Sequence, residues 1–294
     1  MTNLRIVSVL AVTTVLATSP RLDAQQRIER RFAVAPTVAV RIYNLVGVTR
    51  VTGWDRDTIA VVADIPEGGG KFFGGGHGDV AKVGIERQDE TLKSKGATFE
   101  IHVPRRARVW IKSASARVEV GGLAGDLEVS SVTGLVRAEI SDATVRVESI
   151  EGDVEIRGSS PVVRVHTGAG PVTLVGPQSD VVVSTVGGRV TITEAQMIQG
   201  AIETISGPVG VSGMVGAGGL QVRTHDADVD LVFTPSIAAD LDLQSVTGQV
   251  VTTLVPKGRP VAERGLIKRR LGAGGPRVMV RSLNGQIRVS VSPR

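Results

Sequence analysis

An 18-residue repeat constrains this chain more than any other feature. Leu127–Val136, Val145–Val154, Val163–Val172 and Val181–Val190 align as Leu/Val-x-Val-x-Ser/Thr-x-x-Gly-x-Val. The hydroxyl column reads Ser113, Ser131, Ser149, Thr167 and Thr185, each 18 residues after the last. Three positions on, a small-residue column reads Ala116, Gly134, Gly152, Gly170 and Gly188. The unit then drifts: Thr204/Gly207 follows after 19 residues, Thr224/Ala227 after 20 and Ser245/Gly248 after 21. Ser282/Gly285 comes 37 residues later, across an inserted loop. Upstream, Val40–Gly47 is the same unit with Asn44 at the hydroxyl position. Strand-like runs at Thr58–Ala63, Lys82–Arg87 and Thr98–Val103 lie between it and Ser113.

Each unit holds two short runs of period-two alternation, such as Leu127/Val129 and Val136/Ala138, joined by turns. No stretch beyond the N-terminal segment keeps a helical apolar period over ten residues. A constant short period with one corner residue repeated predicts an all-β fold, a single-domain parallel β-solenoid (β-helix or β-roll) with coils of about 18 residues. One coil buries too few side chains to offset the ordering of its own backbone, so neighbours must supply the remainder. Composition agrees: 49 valines and only 8 aromatic residues suit a thin interior lined by small branched side chains. About a dozen coils spaced ~4.8 Å apart would make a rod on the order of 60 Å long. Gly in the small-residue column reads as a corner with positive φ, which Ala116 and Ala227 would accommodate less comfortably.

Residues 1–24 read as an export signal. Arg5 precedes an apolar run from Ile6 to Ala17, Ser19-Pro20 breaks it, and Leu22-Asp23-Ala24 offers a cleavage site before Gln25. A twelve-residue run, with only Ser and Thr among its polar members, is too short to span a bilayer as a helix, which takes about 20. The chain contains no Cys, which excludes disulfides, thiolate metal sites, cysteine catalysis and a lipoprotein anchor. The expected organisation is a signal over 1–24 and a solenoid over 25–294. Within it lie regular coils at about 109–254, a basic insertion at 255–277 and a last coil at 278–291. Removing Arg5, Arg21 and Asp23 leaves 32 basic and 28 acidic residues, too small an excess to argue for nucleic acid. No transmembrane span is expected in the mature chain.

Candidate chemistry is sparse. The loop Pro66–Asp79 is glycine-rich, but Lys71 precedes Phe72 where a phosphate loop needs Ser or Thr, so a mobile loop or coil insertion is expected. Asp228 and Asp230 share an outward face that could offer oxygens to a hard cation, without the spacing of a calcium loop. Asp153, Asp228 and Asp230 are too scattered for a glycosidase-type acid–base pair. His166 falls in an outward column between Glu148 and Ser184, and reads as solvated. The hydroxyl column has no paired base and is explained by turn hydrogen bonds. Trp54 and Trp110 read as packing or coil-end residues. Opposite charges on adjacent coils (Glu119/Arg137/Glu155, Glu128/Arg146, Glu203/Arg223) would help set register. The insertion Lys257–Arg277 is the one clear charge asymmetry. Arg264, Lys268, Arg269 and Arg270 are its possible contact patch, on a flap closing the last coils. No catalytic residue, cofactor or metal is expected.

The pattern resembles a bacterial family of β-strand-repeat proteins known as "putative adhesins" of unknown function. The resemblance rests on Val40–Gly47, Val51-Thr-Gly-Trp54-Asp55, Val103-Pro104, Val109–Ala116, the Ser-x-x-Gly coils and Ser282–Val289. It implies an exported β-solenoid with an adhesive label and no known catalytic residues. The expected function is a non-enzymatic adhesin-like or scaffold protein of the cell envelope, in the periplasm, on the outer surface or outside the cell. Its partner would be an unidentified envelope protein or glycan, and the oligomeric state is open. The alternatives are an envelope regulatory module docking a protein on a strand edge, or a carbohydrate-active β-helix enzyme.

Overall fold

The structure is a computed structural model that describes residues 26–86, 96–178, 180–254 and 258–292. The segment read as an export signal, and Arg87 and Lys257, lie outside these residues. The protein is an all-β solenoid. Successive coils each contribute one strand to two parallel stacks, and the 18-residue period is the pairing register itself. Leu127 pairs with Val145, Val145 with Val163 and Val163 with Val181 in the first stack. Val136 pairs with Val154, Val154 with Val172 and Val172 with Val190 in the second.

Alternation decides which residues face inward. Val145, Val147, Val154 and Ile156 of one coil stack on Val163, Val165, Val172 and Leu174 of the next, and all are buried. The interior is therefore a set of valine-rich columns between two facing stacks, with the scarce aromatics other than Phe233 near one end. There Phe72 meets Phe99 edge-on, with ring centroids 6.3 Å apart, and Trp110 meets Tyr43 at 5.2 Å.

The turn between the two strands explains both repeated columns. Each hydroxyl bonds the backbone three residues on, and all but that of Thr224 are buried: Ser149 Oγ donates to the Gly152 carbonyl at 3.0 Å, and Thr204 Oγ1 accepts from the Gly207 amide at 2.8 Å. Asn44 does the same work at the start, donating to the Val48 and Ala97 carbonyls. The glycines serve a different purpose from the one expected. None of Gly134, Gly152, Gly170, Gly188 or Gly207 has a positive φ. A Cβ at Gly170 would instead lie 2.1 Å from the carbonyl oxygen of Gly152 in the coil beneath, and one at Gly188 would lie 2.1 Å from that of Gly170. Close approach of stacked turns, not left-handed backbone, demands the small residue.

At both ends the order in space departs from the order in sequence. Ala39–Tyr43 and Gly47–Trp54 lie between Arg108–Gly121 on one side and the strands Val80–Glu86 and Ala97–Pro104 on the other. The coil at Arg277–Val291 is last in the sequence but not in the stack. It inserts between Val209–Phe233 and Ala239–Thr253, pairing in parallel with both. Eleven parallel rungs result in each stack, about 48 Å at ~4.8 Å per step.

Antiparallel strands flank the outermost rungs. Thr58–Ile65 pairs with Ala97–Pro104 and carries Gln26–Ala33 on its far side. Lys71–His77, expected as a loop, is a strand paired with Val80–Glu86. Val261–Leu271, inside the basic insertion, pairs with Ala239–Thr252 at the other end. The insertion is thus an ordered strand with Ile267 and Leu271 buried, not a loose flap.

Candidate functional site

The residues singled out for chemistry are largely occupied with one another. Arg50, Glu119, Arg137 and Glu155 form an alternating-charge ladder across four rungs, with Arg50–Glu119 at 2.9 Å and Arg137–Glu155 at 2.8 Å. Arg146–Glu128 at 3.7 Å and Arg223–Glu203 at 3.2 Å are rung-to-rung pairs of the same kind. Glu155 is held below the usual carboxylate range by the hydrogen bond from Arg137, burial opposing it. Asp228 and Asp230 share one partner: Arg288 reaches Asp228 at 3.1 Å and Asp230 at 3.0 Å, and Asp228 also accepts from the Gln286 amide. A cation there would have to displace an arginine. No cluster of three or more potential metal ligands occurs among the described residues.

The basic insertion carries less free charge than its sequence suggests. Arg269 pairs with Glu263 at 2.7 Å, Arg270 with Asp240 at 3.1 Å, and Arg277 with Asp242. Glu263 is the only acid within 257–277 in the sequence, and Asp240 and Asp242 become neighbours only when the strand folds back. Lys268 and Arg270 alternate to one side of the strand and Arg269 to the other, so the four patch residues do not share one surface. Arg264 and Lys268 make no ion pair with any described residue and are exposed.

Asp242 is the most enclosed carboxylate of the group, its side chain only 8% exposed. Burial disfavours its charge, but hydrogen bonds from Arg277 and Arg281 (the latter at 2.8 Å) outweigh that and hold its pKa below the ordinary value. A depressed carboxylate stabilises the fold above the unfolded-state pKa, and that stability is lost as pH falls through the folded-state value. Urea midpoints should therefore drop in acid, and Asp242→Asn should drop less steeply. The variant should start lower at neutral pH by about 1 kcal/mol, because the charge-assisted bonds from Arg277 and Arg281 weaken while both guanidiniums keep contact with water. Identical acid dependence in the two proteins would contradict the pairing.

His166 lies in the outward column between Glu148 and Ser184, as its spacing requires. It lines an open groove of about 810 Å³ along the first stack, with Glu148 and Ser184 beside it and Arg223 and His225 at one end. His225 Nδ1 lies 2.8 Å from Asp226, which also accepts from Asn284. Those two bonds hold Asp226 below its usual pKa, the one from Asn284 contributing most. The hydroxyls of Ser149, Thr167 and Thr185 border the groove but are committed to turns. Trp54 Nε1 donates to the Thr58 carbonyl at 2.7 Å, and its ring packs between His102 and Arg56, which is packing and not a sugar platform.

One feature escaped the sequence reading. The residue after each turn hydroxyl projects from the corner that borders this groove, and most such residues are large and apolar. Val132, Ile150, Val186, Ile205, Leu283 and Val246 are 38–63% exposed. The signal was one position from the hydroxyl column.

This geometry defines a parallel β-solenoid with antiparallel ends and a grooved, repetitive outer face. The chain belongs to the Toastrack DUF4097 family, whose model matches residues 70–290. The chain is similar to two solved structures at low identity. A "putative adhesin" from Bacteroides fragilis NCTC 9343 is 12% identical over 90% of this chain and 97% of its own, with a TM-score of 0.44. A "putative cell adhesion protein" from Clostridium sporogenes ATCC 15579 is 12% identical over 90% of this chain and 100% of its own, with a TM-score of 0.25. Among curated proteins, none matches. No helix among the described residues is long and apolar enough to cross a membrane.

Proposed function

We propose that the protein is an exported, non-enzymatic scaffold of the bacterial cell envelope with an adhesin-like role, its residues 25–294 acting as one solenoid body. One observation carries this reading. The outer face repeats the same backbone rung by rung, so any contact made at one rung is offered again ~4.8 Å away. Repetition on a rigid ladder converts weak contacts into avidity. The occupation of Asp228 and Asp230 by Arg288, and of the hydroxyls by turns, supports the same reading.

Purified protein beginning at Gln25 should co-sediment with envelope fragments and leave acidic polysaccharides uncut. Turnover that Asp228→Asn abolishes would replace the scaffold with an enzyme. The basic strand gives a second readout. Arg264→Ala with Lys268→Ala should weaken co-sedimentation several-fold at low salt and flatten its salt dependence, since these two cations are unpaired. Unchanged binding and unchanged salt dependence would remove the strand from the contact surface.

A further inference from the structure

The exposed corner column runs over eight successive rungs, from Val132 to Val246, in the spatial order set by the strand pairings. Six of its members are the large apolar residues named above. The two exceptions are Gly168 on the third rung and His225 on the sixth. Apolar side chains aligned over this length make a candidate interaction surface. A partner that fills it must match a spacing of ~4.8 Å over seven steps. A second copy of this chain has that spacing by construction.

We propose that two copies pack antiparallel along this corner, with a two-fold axis between the Val186 and Ile205 rungs. That axis sets Val186 against Ile205, Ile150 against Leu283 and Val132 against Val246. It also sets Gly168, the one gap, against His225, the one ring. The adjacent outward column follows the same symmetry. Glu148 on the second rung faces Arg281 on the seventh, Ser130 faces Gln244, and Ser184 faces Glu203. His166 faces Arg223, which its own Glu203 already pairs. Parallel packing in register would instead place Glu148 on Glu148, Arg281 on Arg281, and Gly168 on Gly168 over a void. Arg281 already bonds Asp242 and Arg223 already bonds Glu203, so it is shape and the avoidance of like-charge contacts, not a new ion pair, that select the antiparallel arrangement. The strip is about 34 Å long and one residue column wide beside its neighbour, so the contact falls in the small interface class, below about 1,200 Å², and the dimer is weak.

The absence of Cys makes the test direct, because single cysteines report one geometry. Ile150→Cys and Leu283→Cys, mixed and oxidised, should give at least tenfold more crosslinked heterodimer than either protein gives of homodimer. In the antiparallel pair the two copies of residue 150 lie five rungs apart, about 24 Å, far beyond the ~7 Å that a disulfide spans. Sedimentation of the unmodified protein should show a dimer at high concentration, and Val186→Asp, at an exposed position, should abolish it with the thermal transition unchanged. Homodimer equal to heterodimer in the crosslinking, or a monomer at all concentrations, would overturn the proposal.

Discussion

Gly170→Val is expected to lower stability by about 3 kcal/mol or more, at the upper end of the cost of overpacking. The clash is with backbone: a Cβ at Gly170 would sit 2.1 Å from the Gly152 oxygen, whose position is set by the parallel ladders on either side. A flexible side chain could swing away, whereas a carbonyl in a stacked turn cannot. Gly187 is the internal control, one residue before the next member of the column. Its added Cβ would meet nothing nearer than Ser206 Oγ at 3.6 Å, and its φ is not positive. Gly187→Ala should be neutral or stabilising by about 0.4–1 kcal/mol through the unfolded chain. Urea unfolding of both variants decides the matter. A Gly170→Val protein with the original midpoint would show that the coils do not approach this closely.

Ending the chain after Pro276 should cost more order than the number of residues removed suggests. Among the described residues, Ala239–Thr253 has parallel partners only in Arg277–Ser282 and Ile287–Val291. Without them, residues 239–271 become a two-stranded hairpin with Leu241, Leu243 and Val250 uncovered, and such hairpins are marginal in water. Limited proteolysis should trim this shortened protein back to near Phe233, while the stack before it survives. A chain ended at Ser236 should melt at nearly the same temperature as one ended at Pro276. Protection of residues 239–271 in the shorter chain would mean that they can dock directly on Val209–Thr224, and that the intercalated coil is dispensable.

The middle of the fold was legible because period and register are the same quantity there. Leu127, Val145, Val163 and Val181 align in the sequence for the reason that they pair in space. The ends were not legible. Spacing shows that Val40–Gly47 and Arg277–Val291 are coil units, but not which coils they lie against, since a unit reached through a long connection can enter the stack at any open position. Lys71–His77 looked like a loop because three of its residues are Gly, and its strand state comes from pairing with Val80–Glu86 and not from its own preference. At the candidate site, a turn role for the hydroxyls was legible as the satisfaction of turn amides, which holds for Thr185 and Thr204, whereas Ser149 and Thr167 donate to turn carbonyls instead. The pairing of Arg270 with Asp240 and of Arg277 with Asp242 was hidden, because it needs the chain reversal after Thr253. The Ile150 corner was hidden by its neighbour: alternation predicts that a residue beside buried Ser149 faces out, yet gives no reason for it to be isoleucine.

The antiparallel strands at the two ends bear on how long such an object can be. An uncapped parallel stack presents the same unpaired edge at its last rung as at any other, and would accept further chains without limit. Here Gln26–Ala33, with Arg27, Glu29, Arg30 and Arg31, and the short strand Lys71–His77 close one end, and Val261–Leu271, with Arg264, Lys268 and Arg270, closes the other. Reversed direction and dense charge make both poor templates for another rung. Length is then written in the gene alone: duplicating one 18-residue coil would extend the body by one step of ~4.8 Å and leave both terminations as they are. The protein is a ruler with finished ends.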